Sequence, residues 1–121
     1  MNNLNIIEIK AFVPAKDFLK SIQFYQDIGF TMSSNANGIA YFHLQNASFL
    51  LQDFYNEDLA KNFMMHILVE DVESWWKTIN TSSIVEKYQT QISPILDQPW
   101  MMRDFCFKDP SEILWRIGQN I

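Results

Sequence analysis

Glycine is scarce, three residues in 121, and that scarcity leaves no room for phosphate-cradling glycine loops. One cysteine, Cys106, allows neither an internal disulfide nor a thiolate metal cluster; set between Phe105 and Phe107, it reads as a buried strand residue. Basic residues are outnumbered, nine Lys and Arg against fourteen Asp and Glu. The resulting charge of −5 and pI near 4.8 exclude a general attraction to nucleic acid or to an anionic membrane. No run approaches eighteen apolar residues, and the opening Met-Asn-Asn-Leu-Asn lacks a basic region followed by an apolar stretch. Neither a membrane span nor a signal peptide is expected, and the reading is a cytoplasmic protein. No nucleophile with a positioned base and no zinc-ligand spacing is visible. What the chain does have is apolar surface: 48% of residues are hydrophobic and 15% aromatic, with ten Phe. That composition supports a packed core in one domain, or in two small halves that share it.

The halves emerge from the periodicity. Ile7, Ile9, Ala11 and Val13 alternate with Glu8 and Lys10, the pattern of a half-buried strand. Phe18, Ile22 and Tyr25 then recur at helical spacing up to Gly29, a residue suited to a left-handed helix end. Residues 30–33, 39–44 and 48–52 suggest three short strands separated by turn-rich segments, so the first half reads βαβββ. Residues 53–62 are polar and unpatterned, which predicts a linker. The order then restarts: Phe63, Met65, Ile67 and Val69 alternate with Met64, His66 and Leu68, and Asp71 is placed to cap a helix burying Val72, Trp76 and Ile79. Setting Asp17 against Asp71 puts Phe18 on Val72, Ile22 on Trp76 and Tyr25 on Ile79. Strands over 102–108 and 113–117 flank an Asp109-Pro110-Ser111-Glu112 turn. The middle strand of this half falls in the poorly patterned stretch 82–98, at Ile84–Tyr88, where a helical turn is the other reading. The expected fold is therefore α+β, two βαβββ modules at about 5–54 and 61–119 in a single domain, with Ile7, Ile9, Phe63, Met65, Ile67, Ile113 and Ile117 buried beneath the helices.

The stretch FVPAKDFLKSIQFYQDIGF, and within it FYQDIGF, resembles the opening of the glyoxalase, bleomycin-resistance and extradiol-dioxygenase superfamily, the vicinal oxygen chelate proteins. The later QPWMMRDFCFKDPSEILWRIGQ resembles that superfamily's closing hairpin, so the likeness spans nearly the whole chain. It implies two modules forming a cup-shaped, partly open mixed sheet with helices on the convex side, and a homodimer. The superfamily's metalloenzymes carry one metal ligand on the first strand of each module and one on its last strand. Counting from Asp17 and Asp71, those places fall here on Lys10, Gln52, Met64 and Arg116. Two are cations and one a thioether, which implies no metal, no cofactor and no metal-dependent catalysis.

Strand alternation puts Glu8, Lys10, Leu50, Gln52, Met64, His66, Leu114 and Arg116 opposite the apolar rows, on one concave side. An apolar wall with a few fixed charges suits a small-molecule site. Candidate ligand-binding residues are Glu8, Lys10, Gln52, Met64, His66, Trp100, Phe105 and Arg116, with Trp100 as an aromatic lid on a loop and no catalytic residue assigned. Lys10 and Arg116 either clamp an anionic group or pair with a carboxylate such as Glu8. Of the adjacent Trp75 and Trp76, one should pack and the other face a loop or a partner subunit. The reading closest to these residues is a metal-free protein of the bleomycin-resistance type that sequesters a small aromatic or anionic compound in the cup or at a dimer interface. A glyoxalase-like or dioxygenase-like metalloenzyme and a dimeric interaction protein with a collapsed cup are the alternatives.

Overall fold

The computed structural model describes residues 2–121. Strand β1 (Phe12–Pro14) leads into helix α1 (Phe18–Ile28), then β2 (Thr31–Ala36), β3 (Ile39–Leu44) and β4 (Ala47–Gln52). A short helix α2 (Glu57–Lys61) precedes β5 (Met64–Leu68), α3 (Val72–Thr81), α4 (Ile84–Tyr88), β6 (Leu96–Gln98), β7 (Met102–Lys108) and β8 (Leu114–Asn120). The four strands of each half form one mixed sheet, ordered β1-β4-β3-β2 and β5-β8-β7-β6. In both, the first strand runs parallel to the last and the other neighbours are antiparallel.

Local chemistry sets the element ends. Asp17 is extended and its carboxylate accepts from the Lys20 amide at 3.1 Å, starting α1; Asp71 does the same for Ser74 at 3.1 Å, starting α3. Gly29 closes α1 at φ +126°, a conformation an L side chain rarely adopts, and its amide returns to the carbonyls of Tyr25 and Gln26. Asn37 and Gly38, both at positive φ, make the tight β2–β3 turn.

Helix α1 is the centre of the core. Its Tyr25 ring lies 4.8 Å from Phe49 of β4 and 5.6 Å from Trp115 of β8, and Phe49 and Trp115 meet each other edge to face at 5.4 Å. The apolar faces of the two sheets are thus turned toward one shared interior. The side chains that alternate with these apolar rows lie on the second face of each sheet.

Three sequence expectations are corrected and one open reading is decided. The first strand is three residues long rather than spanning 7–13, and Ile7 and Ile9 are 95% and 90% exposed instead of buried. The reason is register: Phe12 pairs with Leu50, so a parallel strand continued backward meets the start of β4 at Ile9 and then has nothing to pair with. Phe63, Met65 and Ile67 face inward but are only half-buried, whereas Ile113 and Ile117 are fully buried. The linker holds α2, started by the Asn56 side chain on the Leu59 amide (3.1 Å) and spanned by a Lys61–Glu57 ion pair (2.8 Å). Finally, Ile84–Tyr88 is helical, because only i, i+4 spacing buries Ile84 and Tyr88 together without burying Glu86. The strand is Leu96–Gln98, preceded by a bridge from Ile92 to Phe107, and Trp76 packs here by donating its indole N–H to the Ser93 carbonyl at 2.9 Å.

The halves are joined by a buried polar network. Tyr25 donates its phenol to Asp109 and accepts from the Trp115 indole at 2.9 Å, while the other Asp109 oxygen accepts from the amides of Ser111 (2.8 Å) and Ile113 (2.9 Å). The Ser111 hydroxyl takes the Lys16 amide at 2.8 Å. Burial raises the Asp109 carboxyl to about 6 despite these donors, and burial beside Asp109 pushes the Tyr25 phenol well above its usual range. The folded state therefore holds a proton on Asp109 more tightly than the unfolded chain does. This group's contribution is most favourable below pH 4 and is lost as pH rises through about 6, on the order of 3 kcal/mol in all. Replacing Asp109→Asn should remove this component: urea unfolding at pH 4 and pH 7 should show the variant gaining stability relative to wild type as pH rises, and a pH-independent difference would refute the assignment.

Candidate functional site

On the face of the first sheet opposite Phe42 and Phe49, side chains from the residues just before β1 meet β3 and β4. Glu8 accepts from Ser48 Oγ (2.7 Å), Tyr41 Oη (3.0 Å) and Lys10 Nζ (3.0 Å), and the Lys10 ammonium sits 5.0 Å from the Tyr41 ring centre. Ser48 and Tyr41 are brought there by the antiparallel β3–β4 register, which places Tyr41 opposite Leu50 and His43 opposite Ser48. The Ser48 hydroxyl and the Lys10 charge hold the Glu8 carboxyl down to about 2, and Glu8 in turn raises the Tyr41 phenol. Ser33 Oγ meets His43 Nε2 at 2.5 Å. Among the described residues no carboxylate holds the second His43 nitrogen, so this contact lacks the orienting group of a catalytic pair. Gln52 lies on the same face at the end of β4.

On the second sheet Met64, His66, Leu114, Arg116, Gly118, Asp104 and Cys106 share the outward face, with His66 paired across from Arg116 and Cys106 on Arg116's other side. Gly118 makes the packing here possible: a Cβ would stand 2.9 Å from Met102 Cε, 3.2 Å from His66 Nε2 and 3.3 Å from Asp104 Cβ. Arg116 donates to Asp104 at 2.8 Å, and Gln98 donates to the other Asp104 oxygen at 2.9 Å. The carboxylate raises the guanidinium, while burial pushes the Cys106 thiol up. The same half carries exposed apolar side chains, Met64, Leu68 and Leu96 on its strands and Trp100 and Met101 in the β6–β7 turn.

The structure therefore brings Glu8, Lys10 and Gln52 together on one half, and Met64, His66 and Arg116 on the other, with Trp100 in the turn beside β6 and β7. Phe105 does not belong with them: it is 1% exposed, alternates with Asp104 and Cys106, and packs in the core against Phe107. The partner of Arg116 is Asp104 rather than Glu8, which is on the other sheet. Sequence reasoning missed Asp104, Gln98, Tyr41 and Ser48. A lone carboxylate in the apolar strand 102–108 was the available signal for Asp104, since parity places it beside Cys106.

The four positions that hold metal in the superfamily's metalloenzymes do not fit one here. Lys10 and Arg116 are cations already neutralised by Glu8 and Asp104, Met64 offers a thioether, and Gln52 alone presents an oxygen. Among the described residues no three of His, Cys, Asp and Glu come together as a ligand set. Two clefts lie beside the faces. One of about 690 Å³ runs between the β3–β4 turn, the second half of β5 and the start of α3, and includes His66 and Trp75. The other, about 520 Å³, lies between residues 88–93 and the β7–β8 hairpin.

The Glyoxalase/Bleomycin resistance protein/Dioxygenase superfamily model matches residues 6–117, and the chain belongs to that superfamily. No curated protein matches it in sequence. Among solved structures it is similar to a bleomycin resistance determinant encoded on the transposon Tn5, at 18% identity over 95% of this chain and 98% of the other, with a TM-score of 0.79. A bleomycin-binding protein complexed with bleomycin is similar at 18% identity over 96% and 100% of the two chains (TM-score 0.79). Lactoylglutathione lyase from Agrobacterium tumefaciens is similar at 16% identity over 95% of each (TM-score 0.68). At these identities the likeness establishes the shared fold. Among the described residues no helix is long and apolar enough to cross a membrane.

The Arg116–Asp104 pair gives a direct test of what Arg116 does. The Asp104 side chain is 2% exposed, so Arg116→Met should strand a buried carboxylate with only Gln98 and cost about 3 kcal/mol in urea unfolding. Adding Asp104→Leu should recover most of that loss. A single variant as stable as wild type would show that the pair is not what holds Asp104.

Proposed function

We propose that the protein is a small-molecule-binding protein of the bleomycin-resistance type that holds an aromatic compound without metal, on a cup built from the helix-free sheet faces of two chains. The observation that carries this reading is the occupancy of the four metal positions: Lys10 and Arg116 are each locked to a carboxylate, and the second half carries exposed apolar side chains at Met64, Leu68 and Leu96 on its strands and at Trp100 and Met101 in the β6–β7 turn. Apolar and aromatic walls with a few oriented polar groups bind rings and leave no vacant coordination sphere. Because both cations are already paired, an anionic group would have to displace Glu8 or Asp104, so the ring rather than the charge is the recognised feature. In this reading the protein is a homodimer, with the faces of two chains meeting around the ligand. The bleomycin-binding neighbour supports a ligand of this general kind; the lyase neighbour keeps a metal-dependent reaction as the competing outcome.

Calorimetry with bleomycin and simpler aromatic compounds, with and without chelator, decides between them. The expected result is saturable binding unaffected by chelator, and a rise in melting midpoint on the order of 10 °C at a ligand concentration a hundredfold above Kd. Stoichiometric divalent metal in the purified protein, or binding abolished by chelator, would instead support the metalloenzyme. A collapsed cup would show no ligand binding in a dimer.

A further inference from the structure

Three of the four tyrosines donate their phenol to a carboxylate: Tyr25 to Asp109, Tyr41 to Glu8 and Tyr88 to Asp27. Two of those carboxylates are also held by a lysine. Lys10 lies 3.0 Å from Glu8 and Lys87 lies 2.9 Å from Asp27. The bonds from Ser48 and Lys10 hold Glu8 at about 2, and those from Tyr88 and Lys87 lower Asp27, so both are weak bases. Asp109 differs. Among the described residues no cation pairs with it, and its two oxygens have separate tasks: one accepts the amides of Ser111 and Ile113, and the other accepts only the Tyr25 phenol. A carboxylate oxygen with no other donor, in hydrogen-bond contact with a phenol, is a positioned proton acceptor.

Loss of one electron turns a phenol into a strong acid, so a tyrosine is oxidised readily only where a base stands ready for its proton. In water the solvent serves; in a core the base must be built in. Here, transfer of the proton along the existing bond leaves a neutral phenoxyl beside a neutral carboxylic acid, which removes the negative charge that burial penalises at Asp109. The phenoxyl oxygen still accepts from the Trp115 indole at 2.9 Å. Tyr25 has no exposed surface, and the ring centres of Phe24, Phe30, Phe42, Phe49 and Trp115 surround it at 4.8 to 6.1 Å, so a second tyrosyl cannot couple to it. The electron has a short way out. Phe24 lies 5.3 Å from Tyr25 and 5.1 Å from Tyr88, and Tyr88 lines the cleft of about 520 Å³, so two rings separate the buried phenol from an oxidant docked there.

We infer that Tyr25 is a redox-active residue: a one-electron oxidant of the metal-complex class takes its electron, the O–H bond breaks, the proton passes to Asp109, and the aromatic core shelters the neutral radical. The oxidant is reduced by one electron. A one-electron reductant reverses the step, the proton returning from Asp109 to the phenoxyl oxygen. This activity is independent of the ligand reading above, because Tyr25, Asp109 and Trp115 are buried in the interior that the two halves share. Ionised Asp109 is the competent form. The charged groups near it are few: Lys16 ahead of α1 and Lys108 and Glu112 flanking the turn are all exposed, and Tyr55 is the other phenol that feels its charge. With the carboxyl at about 6, the competent fraction is nearly complete at pH 7 and falls about tenfold by pH 5.

Flash photolysis tests this on a chain whose only phenol is Tyr25, made by combining Tyr41→Phe, Tyr55→Phe and Tyr88→Phe, which keep every ring in place. Photo-oxidised ruthenium tris(bipyridine) is the oxidant. The phenoxyl spectrum should appear at pH 7, outlive the radical of free tyrosine in the same buffer, and fall about tenfold in yield by pH 5 relative to free tyrosine. Adding Asp109→Asn should bring the yield at pH 7 down to that seen at pH 5; should this fourth change unfold the chain, the pH profile of the triple variant decides by itself. A triple variant that forms no phenoxyl, a radical as short-lived as that of free tyrosine, or a yield that is the same at pH 5 and pH 7 overturns the assignment. So does an undiminished yield in folded protein carrying Asp109→Asn.

Discussion

The aromatic and polar contact of α1 with both sheets is the constraint on which everything else depends. Tyr25 is wholly buried, its ring wedged between Phe49 and Trp115 and its hydroxyl bonded to both Asp109 and the Trp115 indole. A ring in that place dictates that the two apolar sheet faces share one interior. A polar tip in that place requires the Asp109 turn to come to it, since an unpaired buried phenol would be costly. The turn answers with backbone as well as carboxylate: Asp109 gathers the amides of Ser111 and Ile113, and Glu112 adopts positive φ to let the chain reverse within four residues.

From that constraint follows the division of the outward surface. Side chains that alternate with Phe49 belong to the first sheet and those that alternate with Trp115 to the second, so the polar network of Glu8 and the Arg116–Asp104 pair are separate stations. Each station pairs a cation with a carboxylate, and among the described residues no buried side-chain polar atom lacks a partner. The charge on these faces is spent on order within each half, leaving methionine, leucine and tryptophan to meet whatever binds.

Much of this was legible in the sequence, and the failures have physical causes. The helix caps at Asp17, Asp71 and Gly29, the alternation of β5, and the Asp-Pro hairpin are local signals, and they fell where the chemistry of capping and pleating puts them. Facing was legible too: Lys10, His66 and Arg116 do stand opposite the apolar rows. What alternation could not reveal was length and company. Ile7 and Ile9 keep the pattern of a strand, yet a strand exists only where a neighbour supplies hydrogen bonds, and that depends on the β1–β4 register. Phe105 was misplaced for a related reason, because a ring in a strand next to a charged neighbour reads equally well on either face until one partner is fixed. Asp104 went unnoticed since its partner is twelve residues away across a hairpin.

The bond from Tyr25 to Asp109 spans 84 positions, and that from Lys16 to Ser111 spans 95. During synthesis the first half is complete long before the residues that accept its phenol and cover its ring exist, so it must wait with Tyr25, Phe30 and Phe49 uncapped. Closing so long a loop is entropically slow, and it places this small protein among those whose folding is governed by distant contacts rather than by the speed of helix formation. The aromatic cluster that gives the finished molecule its shape is thus also the sticky surface of its nascent form, the stage at which it would most benefit from a chaperone.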